Sequence, residues 1–367
     1  MISPKYFLFS KLLTLCLCCN LSPILFAQNA DSLNPQQIDL IHTTLVDLPN
    51  NTELAIAIIE GKQSNFYGVQ KINDSLQVKA NQTATFEIGS ITKVFTSHLL
   101  VNLLQAGKID SLEQAIQEKL SISLKSGKSI SFKQLANHTS GLARMPSNLL
   151  INVFNMNNPY KDYGKADLET YLTENLQLSQ ESPGNYAYSN LGMGVLGYTI
   201  SEIQQKNFEE LLQEQIFSPL NMTYSTTKRA LTKEPLVQAL NHEGTAVSNW
   251  DFDILAPAGA IFSTVEDLSK YAQWAFTYFP KEYSILTEVT HTINEEIATT
   301  LAWHTLKGYT KHPFLWHNGG TGGYKSCLAI QLQNNTSIVI LSNVSGLSAN
   351  GQKIDTLCFD LLKNLEH

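Results

Sequence analysis

The chain of 367 residues has only five cysteines, and three of them, Cys16, Cys18 and Cys19, sit near the N-terminus. The two that remain, Cys327 and Cys358, are too few for a disulfide framework. They either pair in an oxidising compartment or stand as two buried thiols. No cluster of His, Cys, Asp or Glu has metal-ligand spacing, so no metal is expected, nor any other cofactor. Basic residues are scarce as well. Lys and Arg number 25 against 32 Asp and Glu, and the formal charge is −7 with no basic tract. That balance offers no electrostatic footprint for nucleic acid. Internal repeats and low-complexity runs are absent too. What is present is 43% hydrophobic and 16% charged, a balance that suits a globular enzyme with a large core, in one big domain or two modest ones.

The N-terminus stands apart. Lys5 and Lys11 flank or interrupt an apolar stretch from Tyr6 to Leu17, which resumes at Ile24–Ala27 before the chain turns polar at Gln28. This pattern predicts a secretory signal over residues 1–27, cleaved after Ala27, and a periplasmic or secreted mature chain. Asn20, Ser22 and Pro23 interrupt the run and weigh against a membrane-spanning helix. Attachment through an uncleaved anchor or a lipid on Cys18 or Cys19 stays open, although neither cysteine follows a small residue in the usual way.

Further on, Glu53–Ile59 and Asn65–Val69 read as two strands joined by Gly61–Ser64, a hairpin. Residues 108–250 read as helices and long loops punctuated by Pro146, Pro159, Pro183 and Pro219. Ser263-Thr264-Val265-Glu266 reads as a capping box opening an amphipathic helix. Strands return at Phe314–Trp316, Ser326–Leu332 and Ser337–Leu341, and a helix closes the chain from about Asn350 to Leu365. Strands near both termini with helices between imply an α/β sheet built from 28–107 and 251–367, with 108–250 as an inserted, mostly helical domain.

Ser90-Ile91-Thr92-Lys93 places an amine one helical turn from a hydroxyl. A serine is a poor nucleophile until a base takes its proton, and a desolvated lysine can be that base. By itself Ser90 is equally well a helix cap. A second Ser-x-x-Lys, Ser225 to Lys228, lies in a polar stretch, whereas Ser90 opens the apolar run Val94–Leu104. Three further segments bear on the choice. Tyr188-Ser189-Asn190 lies on a loop entering a glycine-spaced helix. A tyrosine beside a lysine ammonium would have its pKa lowered, toward a phenolate base, and the asparagine amide can hold both a carbonyl and an N–H. Trp316-His317-Asn318-Gly319-Gly320-Thr321-Gly322-Gly323 sits at a strand edge, where glycines let a substrate backbone approach and an edge N–H can complete an oxyanion hole with that of Ser90. His138, in Asn137-His138-Thr139-Ser140-Gly141, is read as shaping its loop.

Together these residues resemble serine hydrolases of the class C β-lactamase and penicillin-binding type. The phrases Phe86–Phe95, His138–Leu142, Pro257–Thr264 and His317–Gly323 match in order, and the likeness spans roughly 40–362. It implies an antiparallel sheet flanked by helices, a β-lactamase/transpeptidase-like fold. It also implies Ser90 as the acylated nucleophile, Lys93 and Tyr188 sharing its proton, and Asn190 holding the acyl amide. The N–H groups of Ser90 and Gly320 would form the oxyanion hole, with His317, Asn318, Gly319, Gly320 and Thr321 binding substrate. One departure matters. Where β-lactamases of this type carry Lys-Thr-Gly, this chain has His317-Asn318-Gly319. Histidine is largely neutral near pH 7, which weakens carboxylate recognition there. A lysine at 317 would then be expected to shift preference toward carboxylate-bearing substrates. The leading expectation is a β-lactamase-like hydrolase of small molecules or peptides, acting as a monomer. D-Ala-D-Ala carboxypeptidase, D-aminopeptidase and carboxylesterase activity compete with it. A penicillin-binding sensor that acylates without turnover is the alternative of a different class.

Overall fold

The computed structural model describes residues 33–150, 157–179 and 184–366; the expected signal at 1–27 and Pro183 lie outside them. Helix α1 (Pro35–Val46) precedes strands β1 (Glu53–Glu60), β2 (Gln63–Ile72), β3 (Ser75–Val78) and β4 (Phe86–Glu87). Helices α2 (Thr92–Gln105), α3 (Phe132–Ala136), α4 (Lys165–Thr170), α5 (Asn190–Gln204) and α6 (Phe208–Leu212) follow. Then come β5 (Phe262–Ser263), α7 (Val265–Tyr278), β6 (His291–Thr292), β7 (Ile297–Thr299), β8 (His304–Leu306), β9 (Phe314–Gly320), β10 (Lys325–Gln331), β11 (Thr336–Ser342) and α8 (Gly351–Asn364).

Nine strands form one antiparallel sheet in the order β3-β2-β1-β11-β10-β9-β8-β7-β6. Strands from both ends of the chain meet at its centre, where β1 pairs with β11. Helices cover both faces, so β1, β10 and β11 read as near-continuous apolar runs rather than alternating ones. Side chains still alternate between faces. Ala55, Ala57 and Ile59 join the core under α2, α5 and α7, which also takes Val339 and Leu341. Leu54, Ile56 and Ile58 face the other way, with Ile338 and Ile340, against Ile41 and Leu45 of α1 and Ile354, Leu357 and Leu361 of α8. Cys327 and Cys358 lie in this second core as free, buried thiols. Leu191, Val195 and Leu211 of the central helices belong to the same cluster as Ala55 and Leu341, so the helical stretch shares one continuous core with this face of the sheet.

Two local readings shift. The helix α7 cap is Thr264, whose side chain accepts from the Asp267 N–H, while Ser263 is a strand residue. The expected Ser263–Glu266 box is therefore displaced by one position, because β5 must pair with β4 before the helix starts. The strand at 314–316 continues through the glycines to Gly320. The short strands β3 and β6–β8 carry no long apolar run and were not expected.

Candidate active site

Gly89 adopts φ +50°, a conformation glycine takes without penalty. A 3₁₀ turn over Gly89–Ile91 then feeds α2. Ser90 therefore precedes the helix and makes no capping bond, which removes the cap reading. Lys93 is fully buried on the first turn of α2. Its Nζ lies 2.9 Å from Ser90 Oγ and 2.5 Å from the Ala258 carbonyl oxygen. No carboxylate pairs with it among the described residues. Burial, reinforced by the charge of Arg144, holds its pKa well below the ordinary lysine value. A neutral amine can donate to Ala258 while its lone pair accepts from the Ser90 hydroxyl.

Tyr188 corrects an expectation. Its hydroxyl is a hydrogen-bond partner of Ser90 and its ring lies 4.9 Å from Lys93 Nζ. The phenol is nevertheless pushed up, chiefly by burial. The expected lowering of the Tyr188 pKa beside Lys93 is therefore not found, because burial weakens the charged form of both groups. Asn190 begins α5 behind the Ser189 cap, and its Nδ2 approaches Met145 Sδ at 3.5 Å. Its buried Oδ1 makes no hydrogen bond of ordinary geometry. His138 has φ 62°. Its carbonyl accepts from the Ala187 N–H and its Nδ1 from the Ser189 N–H at 3.2 Å, which ties the two loops together and sets Tyr188. It ties its loop in place, and its Nε2 makes no hydrogen bond with any described residue.

Strand β9 closes the other side. Strand β8 pairs with it only through Phe314–Trp316, which leaves 317–320 as an open edge on that side. A side chain at Gly319 would overlap the Ile88 carbonyl, so only glycine lets β9 pass this close to the nucleophile turn. The Gly320 nitrogen in turn lies against Gly89. Two expected site residues are placed elsewhere. The Asn318 amide donates to Asp355 Oδ2 at 2.7 Å, within a group that includes the buried Lys325–Asp355 ion pair. Alternation along the strand turns Asn318 away from Ser90 toward α8. The His317 ring is 1% exposed and its Nδ1 donates to the Asn318 carbonyl. Burial, with His304 and Lys93 nearby, holds it well below the usual histidine value. It is a neutral packing partner of Tyr188 and His304 and does not line the cavity. A lysine there would bury an unpaired charge, so the expected gain in carboxylate recognition does not follow. Ser225 Oγ bonds Asp267 Oδ2 and Ser263 Oγ, which makes the second Ser-x-x-Lys structural.

The cavity holding Ser90 has a volume of about 170 Å³ and includes Asn190, Gly320 and Thr321. Sequence reasoning missed its walls. Tyr160 stacks on Phe252 at 4.6 Å and meets Trp250 edge-on at 5.2 Å; Arg144 is at its rim. These residues come from loops far apart in the chain and carry no periodic signal. Glu87 was also missed. Its buried carboxylate accepts from Asn249 and the Trp250 N–H and faces the Thr321 hydroxyl. Burial pushes its pKa from 4.5 up to about 7. Below the lower value both folded and unfolded chains hold the proton. Between about pH 4.5 and 7 only the folded chain keeps it, so stability is lost as pH rises and then levels off, by on the order of 3 kcal/mol. Glu87→Gln should therefore raise the melting temperature relative to wild type at pH 8 and leave it nearly unchanged at pH 4.5. An equal difference at both pH values would contradict this.

Comparison with known proteins agrees with the fold. The beta-lactamase family model matches residues 49–362. Protein flp of Staphylococcus aureus (strain N315) is 25% identical over 294 residues, 76% of this chain and 56% of that protein. A beta-lactamase of Providencia stuartii is 26% identical over 67% of this chain and 61% of its own. This chain thus spans less than two thirds of the length of these relatives. A class C beta-lactamase superposes with a TM-score of 0.73 at 20% identity, over 90% of this chain and 96% of the other. A beta-lactamase/D-alanine carboxypeptidase from Pseudomonas syringae gives 0.72 at 19% identity, over 90% and 100%.

Proposed function

The chain belongs to the beta-lactamase family, and from that premise we propose that it is an active-site-serine hydrolase working through an acyl-enzyme on Ser90. The observation that carries this reading is the buried, unpaired Lys93 amine 2.9 Å from Ser90 Oγ. Lys93 Nζ takes the hydroxyl proton as Oγ attacks the substrate carbonyl. The N–H groups of Ser90 and Gly320 receive the developing oxyanion. Tyr188 gives its phenolic proton to the leaving group and recovers one from the Lys93 ammonium, so the proton count closes. Asn190 holds the acyl group by its side-chain amide, and a water then releases it. The segment 1–27 is assigned as a secretory signal, which puts the mature enzyme in the periplasm or medium.

For the substrate, β-lactam amide hydrolysis leads. Relatives named as beta-lactamase and as beta-lactamase/D-alanine carboxypeptidase support that class. Peptidase or carboxylesterase action is the second reading, favoured by the neutral, buried His317 where β-lactamases of this type carry a lysine. The test is the purified mature chain on a chromogenic cephalosporin and a short-chain nitrophenyl ester side by side, with intact mass followed in time. Lactam consumption with return to free mass supports the leading reading. Ester turnover alone supports the second, and a persistent lactam adduct means a trap. No turnover and no adduct would refute the hydrolase.

A further inference from the structure

Among the described residues, Arg144 is the one charged residue lining the cavity that holds Ser90. It forms no ion pair with any described residue. Its backbone is fixed, because its carbonyl accepts both the Asn190 and the Leu191 N–H at the start of α5. Its guanidinium sits 5.0 Å from the centre of the Tyr188 ring, held over a residue that itself bonds Ser90. The other cations near the site are committed or hidden. Lys93 lies buried beneath Ser90, Lys325 is paired with Asp355, and Arg229 with Asp251. The strand edge at 317–320 offers no charge.

Resting on the serine-hydrolase reading, we propose that Arg144 is the residue by which this enzyme recognises an anionic group, and that its preferred substrate is an acyl compound with an apolar body and one carboxylate. The chemistry follows from the cavity. Tyr160, Trp250, Phe252, Met145 and Leu255 give it apolar walls. A guanidinium matches a carboxylate in two parallel hydrogen bonds. The anion is read from the loop that follows His138 and not from the β9 edge at 317–320. That explains how a neutral, buried His317 is compatible with an anion-selective site.

The test uses two matched pairs of esters. In the first, 4-nitrophenyl hydrogen adipate is compared with its methyl ester, so the acyl group carries the charge. In the second, the butyrate ester of 4-hydroxybenzoate is compared with that of methyl 4-hydroxybenzoate, so the leaving group carries it. Wild type should favour the anionic member of at least one pair by roughly two- to five-fold in kcat/KM, the range of a charge pair made by an exposed side chain. Arg144→Gln should abolish that preference, chiefly through the anionic member, and Arg144→Lys should restore part of it. A wild type without preference in either pair, a preference that survives Arg144→Gln, or equal losses on both members with a shifted pH profile would overturn the assignment. The last result would mean that Arg144 acts only on the Lys93 amine. Absence of any Ser90-dependent turnover of the neutral esters would instead overturn the hydrolase reading beneath it.

Discussion

Alanine in place of Ser90 is expected to lower turnover of every accepted substrate by about 10⁴-fold or more, while leaving the fold intact. Ser90 is the hydroxyl that Lys93 Nζ approaches at 2.9 Å and the Tyr188 phenol meets, the two groups proposed as its base and acid. Ser225 supplies the control. It occupies the other Ser-x-x-Lys, but its Oγ is spent on Asp267 Oδ2 and Ser263 Oγ, each at 2.9 Å. Ser225→Ala should cost about 1–3 kcal/mol of stability, because a buried carboxylate loses a donor. Turnover per folded molecule should stay near wild type. Progress curves on folded, concentration-matched variants check both, and a silent Ser90→Ala with an inactive Ser225→Ala would reverse the assignment.

Lys93→Met should reduce kcat by about 10²- to 10⁴-fold, the range that a positioned general base contributes. Methionine keeps the length and packing of the side chain but removes the lone pair that accepts the Ser90 proton. A stability effect of the opposite sign should accompany it. The folded-state pKa of Lys93 lies well below the unfolded value of 10.5. Between the two, unfolding takes up a proton, so Lys93 penalises the folded state and the penalty fades as pH rises toward 10.5. Lys93→Met removes that penalty. Its melting temperature at pH 7 should be no lower than that of wild type, and the rise of stability with pH through this window should flatten. A variant that keeps its rate, or one that melts lower with an unchanged pH slope, would count against a neutral catalytic amine.

The parts of this molecule that were legible in the sequence are those written in local pattern. The β1–β2 hairpin, the central β10 and β11 strands and helix α8 carry long apolar runs or turn residues. The Ser90–Lys93 spacing and the Tyr188–Asn190 phrase are likewise short-range signals. What was misread depends on the third dimension. The direction in which the Tyr188 pKa moves turns on burial that no spacing reveals. Asn318 and His317 stand with the substrate only through the resemblance of the 317–319 triplet to its family counterpart. One turns to Asp355 by strand alternation, and the other is covered by Tyr188 and His304. Glu87 and Arg144 sit within reach of the motifs in sequence. Only their partners, or for Arg144 the lack of an acidic one among the described residues, give them a meaning.

Intact-mass analysis with peptide mapping, after brief exposure of the mature chain to a β-lactam and to an activated ester, tests the central claim most directly. The account predicts an acyl adduct of one equivalent, transient or persistent, on the peptide containing Ser90. The same exposure of the Ser90→Ala variant should leave the mass unchanged. An adduct that maps to Ser225 or any other residue, or one that persists in Ser90→Ala, would contradict it.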